Sequence, residues 1–539
     1  MHPSSHRSRR ARLGAAALLF VAACSTGESP EYDLVIRNAD VLDGTGTEAV
    51  RADVAVRGDR IVAVVPDGVP ASSAGRSVDG TGLVLAPGFI DLHAHLDPLL
   101  RLPASESMAR QGVTTALGGP DGGGPFPFGE ALAEIEDTTV GINVGFLAGH
   151  NTIRRAVMDL DNRAPTPDEL ERMKSMVQQA MDEGAFGIST GLRYLPGAFS
   201  DVDEVVALSE VAARAGGFYT SHLREEGLGL LDGVGEALEI GRRARIPIVL
   251  THHKAVGAPT WGSSVTTLAM VDSARAAGTD AMIDQYPYDA SYTGISILVP
   301  PWALEGGDDA FLARMEDPVL ADSIRKGIVF NIINDRGGND LARVQLALVE
   351  WDRSLEGQTL ADWARREGRP TTPEVGAELV IEAIRRGGAS GIYHAMDEAD
   401  VERIMAHPQT MIASDGRLTQ PGEGHPHPRW YGTFPRVLGV YVREKGVLGL
   451  PEAVHKMTGM PAARMGLTDR GRVAEGAYAD LVLFDPAAVI DRATFEEPHQ
   501  YPDGIRMVVV NGRVVFDEDG FHDVRAGRVL RGPAWKGAN

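Results

Sequence analysis

The chain has 539 residues, of which 43% are hydrophobic and 23% are charged, and its formal net charge at neutral pH is −22. A chain of this length is far longer than one small core requires, so we expect a large domain accompanied by a smaller one. The negative charge argues against a nucleic-acid partner, because such a partner usually requires a basic face. Acidity indicates little else, since an acidic surface is common among soluble proteins.

The first residues have the pattern of a secretory signal. Four arginines precede an apolar run from Leu13 to Ala23, which is too short to span a bilayer comfortably. The run ends in Val21-Ala22-Ala23-Cys24, which resembles a bacterial lipobox, where the signal is cut before a cysteine that is then lipidated. Cys24 is the only cysteine, so the mature chain can form no internal disulfide. We therefore predict a signal peptide over residues 1–23, lipidation of Cys24 and a polar tether over residues 24–31.

The predicted anchor implies a location for the protein. Ser25 follows the cysteine, and a serine at this position resembles the signal that directs lipoproteins to the outer membrane in hosts with two membranes. We therefore expect an exported bacterial lipoprotein at the outer membrane, facing the periplasm, which contacts the membrane through its lipid anchor only. The alternative is a plain cleavable signal with an incidental cysteine.

Short strand patterns separated by turns occur at both ends of the mature chain. They begin at Tyr32 and return only beyond Leu467. Neither end has enough strands for a buried sandwich by itself, whereas the two ends together have enough. We therefore predict one small β-sandwich domain from residues 32–82 and 468–535, with the rest of the chain inserted between its halves.

Between residues 83 and 467, strand patterns alternate with helix patterns, which is typical of parallel βα units. Strand ends are predicted near His95, Gly118, His150, Thr190, His222, His252, Tyr286 and Ser414. Eight such units close a TIM barrel, whose active site lies at the carboxyl ends of the strands. The predicted fold class is therefore α/β, a TIM (β/α)8 barrel inserted into a small β-sandwich domain formed by both termini.

Two features between the strands can be assigned from the pattern. Helices are expected over residues 168–183 and 203–215, with Thr166 near the start of the first and glycines at the stops. Residues 293–391 have no simple βα rhythm and are too many for an ordinary connection. We therefore interpret this segment as an inserted lid or substrate loop.

Histidines close several of the predicted strands. His93 and His95 end one apolar run, and because alternate residues of a strand point to the same side, both imidazoles can reach one point above the strand end. His222, His252 and Asp415 each close a further apolar run. Zinc and similar divalent ions take imidazole and carboxylate ligands together. The sequence therefore predicts a metal site at the mouth of the barrel.

Such a site indicates hydrolytic chemistry. A bound divalent cation polarises an amide carbonyl and lowers the pKa of bound water towards about 7. A carboxylate at the metal can take the water's proton and deliver it to the departing nitrogen, and Asp415 lies at a strand end suited to this role. Lys254 should point to the same side as His252, so we expect it to bind a free carboxylate of the substrate, whereas His253 should face the barrel wall.

Seven segments share a pattern with one family of enzymes. They are Gly88–His95, Tyr219–Glu225, Thr251–Lys254, Tyr286–Tyr288, Tyr393–Met396, Ser414–Gly416 and Pro426–Val437. In them the chain resembles the N-acyl-D-amino-acid deacylases (D-aminoacylases) of the amidohydrolase superfamily. The resemblance implies hydrolysis of the amide bond of N-acyl-D-amino acids to a carboxylate and a free D-amino acid. The preference for the D form rests on the resemblance alone.

The resemblance also implies two metal sites that bind one or two divalent ions, and zinc is the expected metal. It assigns His93, His95 and Asp415 to one site, and His222 and His252 to the other. The family usually completes the second site with a cysteine, and Asp121 stands in its place here. A carboxylate in place of a thiolate weakens the preference for zinc and admits a harder or more labile ion. The alternative is that Asp121 is only a turn residue.

Several functional alternatives stay open. The resemblance places Tyr286 and Ser291 near the substrate carboxylate, and a dipeptidase acting on a C-terminal D-residue would use a similar site. A cyclic amidohydrolase similar to dihydroorotases and hydantoinases would need a carboxylated lysine, which residues 185–192 lack. A lipid-anchored metal- or ligand-binding protein is the alternative without activity. The expected partner is a small N-acyl amino acid or dipeptide, the oligomeric state is unknown, and no role is assigned to His394, His425 or His427.

Overall fold

The structure, a computed structural model, describes residues 31–66, 68–70 and 74–537. The predicted signal peptide, Cys24 and all but the last residue of the predicted tether lie outside these residues. Within the described part of the chain, no helix combines the length and the apolar character needed to cross a membrane.

Strands form both ends of the described chain and the wall of a barrel. In chain order they are Tyr32–Val41 (β1), Val50–Arg57 (β2), Arg60–Val65 (β3), Ala74–Asp79 (β4), Val84–Pro87 (β5), Phe89–Asp91 (β6), Ala94–His95 (β7), Val113–Gly118 (β8), Asn143–Phe146 (β9), Ala148–Gly149 (β10), Gly187–Gly191 (β11), Phe218–His222 (β12), Ile248–Leu250 (β13), Ala281–Gln285 (β14), Ser291–Gly294 (β15), Val344–Leu348 (β16), Ser390–Tyr393 (β17), Thr410–Ile412 (β18), Gly416–Arg417 (β19), Leu481–Phe484 (β20), Ile505–Val510 (β21), Arg513–Asp517 (β22) and Gly520–Phe521 (β23).

Helices fill most of the connections between the barrel strands. In chain order they are Glu106–Ala109 (α1), Phe128–Thr138 (α2), His150–Met158 (α3), Pro167–Asp182 (α4), Val202–Arg214 (α5), Leu230–Ala244 (α6), Ser264–Ala276 (α7), Gly307–Met315 (α8), Pro318–Asn334 (α9), Leu360–Arg366 (α10), Pro373–Arg385 (α11), Glu398–Ala406 (α12), Arg429–Arg436 (α13), Leu450–Met457 (α14) and Gly459–Arg464 (α15).

Strands from the two ends of the chain share one sheet. Its strand order is β23-β22-β21-β20-β5-β1-β2-β3, and β4 also pairs with β1. The junction is β5, which is parallel to β1 and antiparallel to β20. Ile36, Val54, Leu85, Leu481 and Val509 are fully buried in the core of this domain. The prediction that both termini build one small β domain is confirmed.

Parallel strands form the barrel wall. β6, β8 and β9 make one arc, and β10 to β14 with β18 make a second. The pairing of β7 with β19 joins the first strand of the barrel to the last. Helices α3 to α7 pack side by side outside the wall, and α12 follows α7. The predicted TIM barrel is confirmed, and the observed strands end at or close to the predicted positions.

The two helices predicted from their caps are α4 and α5. Thr166 caps α4, because its hydroxyl accepts a hydrogen bond from the Glu169 backbone while the Glu169 carboxylate accepts one from the Thr166 backbone. Gly184 and Gly216 follow the two helices with φ of 111° and 77°, a left-handed conformation that glycine adopts without a steric penalty. Both helix predictions are confirmed.

Residues 291–393 fold as an inserted subdomain. Strands β15, β17 and β16 form a small antiparallel sheet, and helices α8 to α11 pack beside it. Phe311, Ile328, Trp363 and Val380 belong to its own buried core. The segment interpreted as a lid or substrate loop is thus a folded subdomain rather than an irregular loop. Its sequence lacks a βα rhythm because its strands are antiparallel.

The last described residues run along the amino-terminal end of the barrel. Backbone N–H groups of Gly527, Leu530 and Gly532 donate to the carbonyls of Val140, Val144 and Gly184, at 2.8, 2.7 and 2.8 Å. This carboxyl-terminal segment therefore lies against β9 and the turn before β11, on the side opposite to the predicted active site.

Candidate metal centre

Six potential metal ligands converge at the carboxyl ends of the barrel strands. They form two groups among the described residues, namely His93, His95, Asp121 and Asp415, and Asp121, His222 and His252. Within each group, the ligand atoms all lie within 4.8 Å of one another. The structure thus brings together every residue that the sequence proposed as a metal ligand. Asp121 belongs to both groups.

The carboxylate of Asp121 stands between the two groups. Its Oδ1 lies 3.3 Å from His252 Nε2 and 3.5 Å from His93 Nε2, while its Oδ2 lies 3.6 Å from His95 Nε2. A carboxylate placed in this way can offer one oxygen to each of two cations, as a bridging ligand does. The structure therefore gives Asp121 a more central position than a ligand of the second site alone.

Four polar atoms of this centre are buried without a hydrogen-bond partner among the described residues. They are both ring nitrogens of His93, Nε2 of His222 and Oδ1 of Asp121. His222 Nδ1 and His252 Nε2 face each other at 2.7 Å. Buried polar groups are normally paired, and unpaired imidazole nitrogens beside a carboxylate suit a divalent cation. The residues present therefore fit one or two zinc-like ions.

Three of the candidate ligands have an unusual backbone conformation. The φ angles of Asp121, His252 and Asp415 are 54°, 35° and 47°, in the left-handed region that non-glycine residues seldom adopt. Such residues cost roughly 1 kcal/mol or more each and persist where the surroundings hold them. Here Asp415 N donates to the His93 carbonyl at 2.9 Å, and His252 N donates to Asp284 Oδ1 at 2.5 Å. The backbone is thus held in the shape that turns these side chains towards the centre.

Burial and charge set the protonation of the second group. Burial lowers the pKa of His222 to about 3, which leaves its imidazole neutral and able to coordinate a metal. Burial and the charge of Lys254 also lower the pKa of His252, but Asp121 and Glu226 outweigh them and raise it to about 10. Because coordination requires a neutral imidazole, a cation bound at His252 must displace this proton.

Glu226 organises a buried ion-pair network that the sequence did not reveal. Its Oε1 lies 2.6 Å from Lys254 Nζ, and its Oε2 lies 2.8 Å from Arg336 Nη2. Lys254 Nζ is also 2.7 Å from His252 Nδ1. Lys254 therefore faces the centre as predicted, but it already has a partner. Arg336 belongs to the inserted subdomain, so this network connects that subdomain to the barrel.

Arg429 is a second residue that sequence reasoning left without a role. Its Nη2 lies 3.0 Å from Asp415 Oδ2, and its guanidinium lies 4.6 Å from the centre of the Tyr286 ring. Its Nε and Nη1 are buried and have no hydrogen-bond partner in the part of the chain that the structure describes. The signal available in the sequence was its place in the segment Pro426–Val437, which contributed to the family resemblance.

A cavity of about 600 Å³ opens above the ligands, a size that suits a small molecule. Lys254, Tyr286 and Ser291, which the sequence proposed as substrate contacts, all line it. Arg336 and Arg429 line it as well. The cavity thus places several cationic or hydroxyl groups beside the predicted metal centre.

The remaining histidines lie outside the two ligand groups. His253 contacts Thr267 Oγ1 through Nε2 at 2.8 Å, which agrees with its predicted orientation towards the barrel wall. His427 and His425 donate through Nε2 to the carbonyls of Ala290 and Phe495, at 2.9 and 2.6 Å, and His394 packs against the Phe495 ring. These contacts give the three histidines structural roles in the loops around the cavity.

Comparisons with known proteins agree with this geometry. A model described as the amidohydrolase family matches residues 348–516. N-acyl-D-glutamate deacylase from Alcaligenes xylosoxydans xylosoxydans is 39% identical, over 93% of this chain and 97% of that protein. D-aminoacylase from the same organism is 36% identical, over 94% of this chain and 99% of that protein. The crystal structure of N-acyl-D-glutamate deacylase from Bordetella bronchiseptica, complexed with zinc and a phosphonate inhibitor, superposes with a TM-score of 0.79 at 35% identity, covering 93% of this chain and all of that chain.

Proposed function

The chain belongs to the N-acyl-D-amino-acid deacylases, the D-aminoacylases of the amidohydrolase superfamily, and from this membership we infer its reaction. It hydrolyses the linear amide bond of N-acyl-D-amino acids with the help of zinc or another divalent metal, releasing a carboxylate and a free D-amino acid. The observation that carries this conclusion is the convergence of four histidines and two aspartates in one cavity. Strand β11 contains no lysine, which disfavours a cyclic amidohydrolase.

Asp415 is the residue best placed to move protons in this reaction. Bound divalent ions supply a Lewis acid for the amide carbonyl and an activated water. Burial raises the pKa of the Asp415 carboxyl, but Arg429 and His95 outweigh burial and hold it below its usual range. The ionised carboxylate can therefore accept the proton of the attacking water and return it to the nitrogen as the carbon–nitrogen bond breaks.

The cationic side of the cavity is where the substrate's α-carboxylate binds. Lys254, Tyr286 and Ser291 line that side, and Arg429 contributes N–H groups that have no other partner. Charge-assisted hydrogen bonds of this kind are stronger than neutral ones and fix the orientation of the bound group. The amide then lies over the metal ligands while the carboxylate is held beside them.

Replacing Lys254 with alanine should lower kcat/KM for N-acyl-D-amino acids by about ten- to a hundredfold, chiefly through a higher KM. A hydrogen bond to a charged group contributes about 1.5–3 kcal/mol, which corresponds to that range. The measurement is steady-state kinetics on N-acetyl-D-methionine and on its carboxamide. The carboxamide is the control, because it lacks the charge that Lys254 binds. An unchanged kcat/KM for the acid would eliminate the proposed contact.

We further propose that the protein is an exported lipoprotein anchored at the outer membrane through Cys24. Support comes from the basic start, the short apolar run and the single cysteine at the end of that run. Strand β1 begins at Tyr32, shortly after the proposed tether. The catalytic domain would then act on substrates in the periplasm while the lipid holds it at the membrane.

Replacing Cys24 with serine should abolish lipid labelling and leave an uncleaved precursor. The measurement is incorporation of labelled palmitate during expression in a bacterial host, together with the mass of the product. Ser29→Ala, a change further along the proposed tether, is the matched control and should label like the natural chain. Labelling of the Cys24→Ser variant at the normal level would refute the anchor without bearing on the enzymatic activity.

A further inference from the structure

The lining of the catalytic cavity includes one half-buried arginine, Arg417. Arg417 ends strand β19 and stands in register with His95 on the parallel strand β7. Residues in register on neighbouring parallel strands project to the same face, so Arg417, which lines the cavity, faces it beside a metal ligand. Among the described residues it forms no side-chain hydrogen bond and no ion pair. Glu423, a carboxylate close enough to feel its charge, is bound by Arg101 instead.

The other buried cations of this cavity are already paired. Lys254 and Arg336 share Glu226, and Arg429 binds Asp415. The two remaining charged groups of the lining whose side chains have no ion pair, Arg155 and Asp97, are exposed. Arg417 is therefore the one half-buried guanidinium of the described lining whose charge is not matched by the protein itself. An anionic group of a bound molecule would supply the missing partner.

The surroundings of Arg417 show which part of the substrate can reach it. A second cavity, of about 250 Å³, shares Tyr292, Arg417 and Trp430 with the first. The rings of Tyr292 and Trp430 pack edge to face with their centres 5.1 Å apart. These two residues follow Ser291 and Arg429, which we place at the α-carboxylate. Because Tyr292 and Trp430 line the space between those residues and Arg417, a side chain attached to the α-carbon can extend along them to Arg417.

We propose that Arg417 binds a second carboxylate, on the side chain of the D-amino acid, so that the preferred substrates are N-acyl derivatives of acidic D-amino acids. This proposal rests on the deacylase function given above. A guanidinium matches a carboxylate with two parallel N–H donors, which discriminates the carboxylate from an amide of the same shape. The proposed substrate is a dianion. Its second negative charge is on the side chain of the amino acid rather than on the acyl group.

The test compares substrates that differ only in this charge. kcat/KM is measured for N-acetyl-D-glutamate, N-acetyl-D-glutamine, N-acetyl-D-leucine and N-succinyl-D-leucine with zinc supplied. The natural enzyme should prefer D-glutamate to D-glutamine by at least about tenfold, the usual effect of a charged hydrogen bond. Arg417→Gln should bring that ratio close to one, mainly by raising KM for D-glutamate. Arg155→Gln, which changes an exposed arginine of the same cavity, should keep the natural ratio.

Each other outcome has a separate meaning. The proposal would be overturned if the natural enzyme had the same kcat/KM for N-acetyl-D-glutamate and N-acetyl-D-glutamine. It would also be overturned if Arg155→Gln lowered the ratio of these two values as much as Arg417→Gln does. If Arg417→Gln instead affects N-succinyl-D-leucine, the second carboxylate comes from the acyl group, and the side-chain assignment is overturned. If neutral substrates are turned over without any preference for acidic ones, only the role of Arg417 fails. If none of the N-acyl-D-amino acids is hydrolysed, the deacylase function itself fails.

Discussion

Replacing Asp415 with asparagine should lower kcat by at least about a hundredfold while the metal content stays the same. Asparagine keeps the shape of the side chain and one carbonyl oxygen, but it cannot accept the proton of the attacking water. General acid–base assistance contributes about a hundredfold to ten-thousandfold to enzymatic rates. The expected loss is large because Asp415 serves both proton transfers, the one from the attacking water and the one to the departing nitrogen. Single-turnover rates on N-acetyl-D-methionine and N-acetyl-D-glutamate, paired with metal analysis of the same sample, measure it.

Metal loss must be separated from loss of proton transfer in this variant, because Asp415 Oδ1 lies 3.1 Å from His95 Nε2 within one ligand group. Kinetics at increasing zinc concentration achieve this separation. If kcat stays low when the metal sites are full, the loss is due to impaired proton transfer and not to missing metal. Asp97→Asn is the matched control, because Asp97 lines the same cavity and is exposed. A near-normal kcat for a fully loaded Asp415→Asn enzyme would remove Asp415 from the mechanism.

Replacing Asp121 with alanine should lower the number of bound metal ions and weaken zinc binding by at least about a hundredfold. The residue belongs to both ligand groups, so its loss removes one oxygen from each. Changes to residues that merely support metal ligands already weaken binding by about ten- to a hundredfold, and a direct ligand should exceed that. Metal content after dialysis against a chelator, followed by activity during zinc titration, provides the measurement.

Asp121→Cys tests whether the carboxylate sets the choice of metal. A thiolate is a softer ligand than a carboxylate, so this variant should bind zinc more tightly than the natural chain does. In a competition between the two ions, its affinity for manganese relative to zinc should fall. Asp121→Asn keeps the shape without the charge and should resemble the alanine variant. Retention of the natural metal content in Asp121→Ala after dialysis would exclude Asp121 as a ligand.

Five of the six candidate ligands could be located from the sequence because each of them carries a local signal. An apolar run that ends in histidine or aspartate identifies both a barrel strand and a residue at its carboxyl end, and the barrel then brings the strand ends together. Asp121 follows no such rule, since its place came from the family resemblance. Its position between the two groups depends on a left-handed backbone conformation, with φ of 54°, which no pattern of residue types encodes.

The ion pairs of the cavity could not be predicted in the same way. Glu226 and Arg336 are 110 residues apart, and Arg336 lies in a subdomain whose antiparallel strands give no barrel rhythm. Lys254 was correctly placed at the centre, but strand alternation says only which side a residue faces. Whether its charge is already paired depends on Glu226, whose side chain arrives from another strand end. Local periodicity therefore located the cavity and missed its internal charge balance.

The sheet that joins both ends of the chain has a consequence for biosynthesis. β5 pairs with β20, which is made almost 400 residues later, and the segment around Leu530 covers the floor of the barrel. A nascent chain can therefore neither complete this sheet nor cover the floor of the barrel until the residues around Leu530 have been made, and contacts so distant in sequence form slowly. Loss of the segment around Leu530 would leave the carbonyls of Val140 and Val144 without these partners, so a chain released before this segment is made exposes the edge of β9.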